Sequence, residues 1–386
     1  MRERCRAITP EIIALRHAIH AHPETAFQEE RTAREVAERL RALDIEVTTG
    51  VAGTGVVGLL RGGQPGPTVA LRAEMDALPI QEQTGAAYAS TTPGRMHACG
   101  HDGHTAILVG AAGALAALRA HLSGDVKLIF QPAEEQVAGA SRMCAAGVMS
   151  NPPVAAIAAL HGWPGLPLGT INVSPGPVMA SADAFEIAIT GRGGHGAMPH
   201  LTVDPVVAAC EVVGALQSIA SREVSPNAPV VVSVTAIHAG EAYNVIPEAA
   251  RLRGTVRTLD PAVRARIPER MRRIAAGVCA AHEAEARVDY QECCPVTAND
   301  PRACRAIREA AEPLLGAASV RGDGPPSMVS EDFACYLAEA PGAILRLGLG
   351  DTPSLHNPRF DFPDAAVPLG VALMARVGLR LLGCGW

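Results

Sequence analysis

Through the first 160 residues, short apolar runs alternate with longer stretches of helical spacing. The runs at Glu46–Thr49, Val56–Leu60, Thr68–Arg72, Val126–Phe130 and Val154–Leu160 predict strands. Between them, Glu29–Ala42, Thr105–His121 and Ala138–Ala146 predict helices. Thr9-Pro10 predicts a helix start, with Pro at the first helical position. Alternation of this kind predicts the α/β class, with a helix-flanked, largely parallel sheet. Ligands of such sheets gather past the carboxyl ends of strands.

The pattern changes after Ser174-Pro175-Gly176-Pro177, which reads as a hinge. A strand at Ala184–Thr190 and a helix at Pro205–Arg222 follow, then strands at Val230–His238 and Ala250–Thr258. A helix at Ala262–Ala281 and a strand at Arg287–Gln291 complete the order of a ferredoxin-like α+β sandwich. Beyond Cys293-Cys294-Pro295 the alternation resumes, with a strand at Ile344–Leu349 and a final helix at Ala365–Leu382.

Composition narrows the class. The chain has 386 residues, 48% of them hydrophobic, enough for two domains with proper cores. A net charge of −6 and the absence of a basic stripe argue against a nucleic-acid partner. The N-terminal MRERCRAITPE lacks the apolar segment of a signal peptide. The longest apolar run, Ala106–Leu118, is too short to span a bilayer and reads as a buried helix. Ten scattered cysteines without framework spacing predict a reduced, cytoplasmic protein. Lys127 is the only lysine and lies in a predicted strand, which argues against both a phosphate-loop nucleotide site and imine chemistry.

The densest chemistry is MHACGHDGHTA, Met96–Ala106, where His97, Cys99, His101, Asp102 and His104 fall within eight residues. Imidazole and thiolate together suit a divalent ion such as zinc. The breaks at Gly100 and Gly103 predict a tight loop. Glu134 and Glu135 follow the strand-like KLIF, and further histidines stand at His161, His195, His200 and His356. A metal hydrolase needs several ligands and one extra carboxylate to move protons. Two glutamates at a strand end, pointing in opposite directions, divide that labour; the alternative is a solvated helix start.

The blocks LRHAIHAHPE, LRAEMDALPI, MHACGHDGHTA, FQPAEE, LHGWP, GRGGHGAMPH, NVIPEAARLRGTVRT, SEDFACYL and LHNPRFDF resemble one family nearly end to end. It comprises hippurate hydrolase, N-acyl-amino-acid amidohydrolases and auxin-conjugate hydrolases, within the aminoacylase–carboxypeptidase superfamily of two-metal enzymes. The resemblance implies metal ligation by Cys99, His101, Glu135, His161 and His356, and two divalent ions per subunit, zinc, manganese, cobalt or nickel. It implies Glu134 as general base and acid, Asp76 as a residue orienting a ligand, and His195 as a catalytic oxyanion stabiliser. Asn244 and Arg257 match positions that hold the substrate's carbonyl or carboxylate.

His97 and His104 flank the ligands, as outer contacts or as loop packing. Glu74 stands where relatives commonly carry Asp and receives no role. Nor do Glu331 and Asp332 beyond a polar helix start. Because the His356 block is needed with the earlier ligand blocks, residues 178–293 read as an inserted lid and dimerisation domain. Residues 1–177 and 294–386 then form a discontinuous catalytic domain.

The implied function is hydrolysis of an N-acyl or N-aroyl amino acid in a cytoplasmic homodimer, with no membrane partner. A dipeptidase or carboxypeptidase, or an aminohydrolase acting on an aromatic amine, is the alternative at the same site. Gly191, Gly193 and Gly196 also satisfy GxGxxG after a strand, but no helix is predicted at the third glycine, which leaves a dinucleotide-binding oxidoreductase a poor second.

Overall fold

Eight strands form the main sheet in the order Glu46–Val51, Gly55–Leu60, Ser123–Gln131, Gln64–Glu74, Val154–Trp163, Gly342–Gly348, Ile171–Asn172 and Val320–Arg321. The computed structural model describes residues 2–386, with side chains from residue 8 onward. The four central strands, from Ser123–Gln131 to Gly342–Gly348, run parallel. Their interiors are near-continuous apolar runs, as expected of strands covered on both faces. Leu71 sits opposite both Leu128 and Ala158, and all three are buried.

Helices cover this sheet. The segment His101–Ala116 is buried almost throughout, and Val367–Leu382 packs into the same core through Val371, Met374 and Leu381. Asp364–Leu382 is long and apolar enough to cross a membrane by length and composition, yet it is mostly buried within the protein. The first helix runs Arg2–His20 rather than starting at Thr9, with Pro10 inside it. Pro removes one helical hydrogen bond there, and Ile12, Leu15 and Ile19, spaced along one face, bury that face in the core. The side chains at the charged start of MRERCRAITPE lie outside those described.

Lys127 lies within the Ser123–Gln131 strand, 1% exposed. Its ammonium donates to the carbonyls of Val148, Asn151 and Pro152.

The chain divides into two units. The first holds residues up to Gly176, Ala298–Pro325 and Asp332–Trp386; the second holds Pro177–Thr297 and Pro326–Glu331. In the second unit, four antiparallel strands are ordered Val230–Ala239, Ala249–Thr258, Ala182–Thr190 and Glu285–Cys294. Helices Pro205–Ser218 and Ile267–Ala281 pack on this sheet over a separate core that includes Ile187, Leu252, Val212 and Met271. This is the ferredoxin-like order that the hydrophobic pattern predicts. Nothing in that pattern points to the return segment Pro326–Glu331. Backbone bonds hold it: Ala180 N–H donates to the carbonyls of Ser327 and Val329, and Ser327 N–H to that of Val178.

Candidate metal centre

The carboxyl ends of the central parallel strands open onto one cluster in the first unit. Gln64–Glu74 leads directly to Asp76, Ser123–Gln131 to Glu134 and Glu135, and Val154–Trp163 carries His161 near its end. His356 follows the Gly342–Gly348 strand on a turn where its own φ is 64°. That left-handed backbone is uncommon for a side chain larger than glycine, and the His356 amide anchors it by donating to the Ala98 carbonyl at 2.8 Å.

MHACGHDGHTA is not the loop that its glycines predict. The helix begins at His101, so Asp102 and His104 lie in its first turn. Gly100, at φ 86°, turns the chain into the helix in a conformation that favours glycine. Gly103 sits inside the helix because a Cβ there would lie 2.7 Å from the Phe362 ring. Both glycines serve close approach, not flexibility.

The glutamates also differ from expectation. The strand ends at Gln131, and Glu134 and Glu135 occupy a turn with Ala133 at φ 54° and Val137 at φ 53°. Strand alternation therefore does not separate them. Both come within 4.0 Å of His101 Nε2, through Glu134 Oε2 and Glu135 Oε1. Two carboxylates pin the turn: Glu29 accepts from the Ala133 amide at 2.9 Å, and Asp76 from the Glu135 amide at 3.0 Å.

Cys99, His101 and Glu135 bring ligand atoms within 4.8 Å of one another. Cys99 Sγ lies 3.6 Å from His161 Nε2, and His356 Nε2 lies 3.4 Å from Glu135 Oε2. His101 Nδ1 donates to the Asp76 carbonyl at 2.8 Å and His161 Nδ1 to the Gly162 carbonyl at 2.8 Å, so each ring presents Nε2. His101 Nε2 and Glu135 Oε1 are buried without a hydrogen-bond partner. Orphaned polar atoms aimed into a cluster of this kind are costly unless a cation joins them. The residues fit a divalent metal ion.

The electrostatics agree. Burial, then the charges of Glu135, Glu134 and Glu74, push the Cys99 thiol well up, so a thiolate there needs a compensating cation. Burial and the neighbouring His104 bring His161 down to about 3, leaving it a neutral donor ring. Burial opposes a charge on His101, yet the Asp76 hydrogen bond and the carboxylates of Glu74, Asp76 and Glu135 raise it to about 10. Without a metal, a proton on His101 answers this negative field.

Three expected site residues belong to the second unit. His195 is exposed on Gly194–His195, which pairs with Val245–Ile246, and Asn244 adjoins it, its carbonyl accepting from the Gly196 amide at 2.8 Å. The Ala197 amide donates to His195 Nδ1 at 3.0 Å. Arg257, half-buried, donates to the Ser330 hydroxyl of the return segment. The GxGxxG glycines open no helix: Gly194–His195 is a strand, and the following long helix waits for Pro205, capped by Asp204.

Several buried partners have no single-residue signal in the sequence. Asp332 accepts from Arg72 Nη2 at 3.0 Å, from Gln131 Nε2 and from the Ala140 amide. Arg16 binds Asp102, Asp361 and Asp364, and His20 binds Asp102 and Glu82. His97 is buried with neither ring nitrogen bonded, and it does not join the groups whose ligand atoms lie within 4.8 Å of one another.

Residues 70–380 match the profile of peptidase family M20/M25/M40. N-acetylcysteine deacetylase of Bacillus subtilis is 41% identical over 378 residues, 98% of this chain and 98% of its own length. Thermostable carboxypeptidase 1 of Saccharolobus solfataricus is 38% identical, over 97% of this chain and 96% of its own. The crystal structure of the Bacillus subtilis YXEP protein, a dinuclear metal-binding peptidase of the M20 family, superposes with a TM-score of 0.87. It is 38% identical and covers 98% of this chain and 99% of its own.

Proposed function

Because this chain belongs to peptidase family M20/M25/M40, a family of metal-dependent hydrolases of amide bonds, we propose the following reaction for it. It cleaves the amide of an N-acyl or N-aroyl amino acid and releases a carboxylic acid and an amino acid. The observation that carries this reading is a ligand set of buried Cys99 and His101 with the partly buried Glu135, its orphaned atoms turned inward, beside the buried Glu134. The deacetylase relative supports the substrate class.

In this reading Cys99, His101, Glu135, His161 and His356 hold two divalent ions; zinc, manganese, cobalt and nickel all suit such donors. When bound, the ions lower the pKa of a water and polarise the substrate carbonyl. Glu134 accepts the proton of the attacking water and returns it to the leaving amine. His195 serves as the oxyanion donor. With Nδ1 accepting from Ala197, its neutral ring carries the proton on Nε2. Such donors are typically worth about 3–4 kcal/mol in the transition state. Arg257 offers a planar fork to the substrate carboxylate, and Asn244 an amide to its carbonyl.

The second unit exposes Met198, Leu201, Val206 and Val207 within ten residues, which supports a homodimer formed through it. No disulfide joins the nine described cysteines, which supports a reducing compartment. The carboxypeptidase relative favours a second reading, release of a C-terminal residue from a peptide at the same site.

Mass-spectrometric product analysis of the metal-loaded protein separates the readings. N-acetyl and N-benzoyl amino acids should yield an acid and an amino acid. Turnover of peptides alone, or release of ammonia, refutes the proposal. His195→Ala should lower kcat by about 100-fold or more at unchanged metal content.

A further inference from the structure

Two fully buried groups, Glu74 and His104, have no part in the reaction described above. His104 lies one turn along the helix from His101, and its ring centroid is 4.7 Å from that of His161. Position alone would make it a further ligand. Its hydrogen bonds exclude that. The Gly162 amide points at His104 Nε2 at 2.8 Å, and an amide N–H can only donate. Nε2 is therefore bare and Nδ1 carries the proton, which it donates to Glu74 Oε2 at 3.0 Å. Neither nitrogen remains for a metal.

The same residue continues the chain of contacts, through its carbonyl on the next peptide. The Gly162 carbonyl accepts from His161 Nδ1 at 2.8 Å, which leaves His161 Nε2 unprotonated and 3.6 Å from Cys99 Sγ. Gly162 is tightly enclosed, since a Cβ there would lie 2.8 Å from the Phe362 ring and 2.9 Å from Leu349. Glu74 is held in turn. Arg72 binds its carboxylate, Asp332 and Gln131 hold Arg72, and the Thr105 hydroxyl donates to the Glu74 carbonyl at 2.6 Å.

We infer that Glu74 and His104 form a relay that orients the Gly162 backbone and so selects the His161 tautomer presenting Nε2. His104 is thus a positioning residue for His161, not a ligand. Partners one step behind a ligating histidine commonly control metal affinity by 10–100-fold. The inference rests on the reading of His161 as a ligand.

Two amides of different reach test it. His104→Gln places an amide oxygen near the position of Nε2, where it can accept from Gly162. His104→Asn reproduces only the position of Nδ1 and leaves the Gly162 amide unanswered. Metal affinity is read by cobalt titration against a chromophoric chelator, together with the visible spectrum of the cobalt-loaded protein and its thermal unfolding. His104→Asn should bind one of the two ions about 10–100-fold more weakly, with an altered spectrum and a cooperative melt. His104→Gln should return to within a few-fold of the parent. Equal behaviour of the two variants, whether both normal or both weak, overturns the relay. His161→Ala is the control: if it keeps both ions, the ligand reading has failed and the relay falls with it, whereas loss of an ion there with unchanged His104→Asn refutes the relay alone.

Discussion

Asp76 ties Glu135 to the strand ends: its Oδ2 accepts the Glu135 amide at 3.0 Å while Oδ1 lies 3.3 Å from His101 Nδ1. One carboxylate thus fixes the backbone of one proposed ligand and lies beside the ring of another, which the Asp76 carbonyl holds at 2.8 Å. Asp76→Ala should weaken metal binding by about 10–100-fold while circular dichroism stays unchanged. Unaltered metal content after dialysis against a weak chelator would show that neither contact matters.

Cys99 is a thiol that its surroundings keep protonated unless a cation is present. Chelation should therefore abolish activity, and manganese, cobalt or zinc should restore it. Cys99→Ser should release metal more readily, since an alcohol does not supply a thiolate. Metal analysis after gel filtration gives the answer; full occupancy and activity in Cys99→Ser would remove Cys99 from the ligand set.

Glu134 and Glu135 stand equally far from His101 Nε2, but it is Glu135 that groups with Cys99 and His101 and meets His356 at 3.4 Å. In our reading Glu134→Gln lowers turnover by roughly 100-fold or more, the scale of general acid–base catalysis, at normal metal content. Glu135→Gln should lower metal occupancy instead. The reverse outcome in paired metal assays and kinetics exchanges the two roles.

His20 predicts a pH dependence of stability. Both ring nitrogens face carboxylates, Asp102 at 2.9 Å and Glu82 at 3.3 Å. Burial and nearby Arg16 oppose its charge, yet Asp102 and Glu82 raise it from 6.5 to about 9. A base whose folded pKa is raised stabilises fully below the unfolded value and loses that contribution as pH climbs through the folded one. The window is thus about pH 6.5 to 9, and the loss is at most roughly 3 kcal/mol at 1.36 kcal/mol per unit. Urea unfolding of metal-free protein across this range should show the parent weakening more steeply than His20→Gln. Parallel slopes would assign the effect elsewhere.

The sheet and the ferredoxin-like unit were legible because their strands are apolar runs with plain boundaries. The run Ala184–Thr190, for instance, lies wholly within the strand Ala182–Thr190. Local detail was not. Glycine reads as a breaker, but Gly103 is helical because a ring needs its space. Neighbouring glutamates read as alternating strand residues, but an αL turn at Ala133 brings them to one atom. Asp332 had no visible purpose because its partners Arg72 and Gln131 lie 260 and 201 residues away in sequence. Such pairings are made by tertiary structure and leave no periodicity behind.

The caged Lys127 has a practical consequence. As the chain's only lysine, with its ammonium bound to three carbonyls, it offers no side-chain amine to reagents in solution. Amine-directed dyes, crosslinkers and acylating agents will not attach to lysines on this surface. Immobilisation or labelling should go instead through the exposed thiols of Cys210 and Cys293, with Cys99 sheltered by its burial.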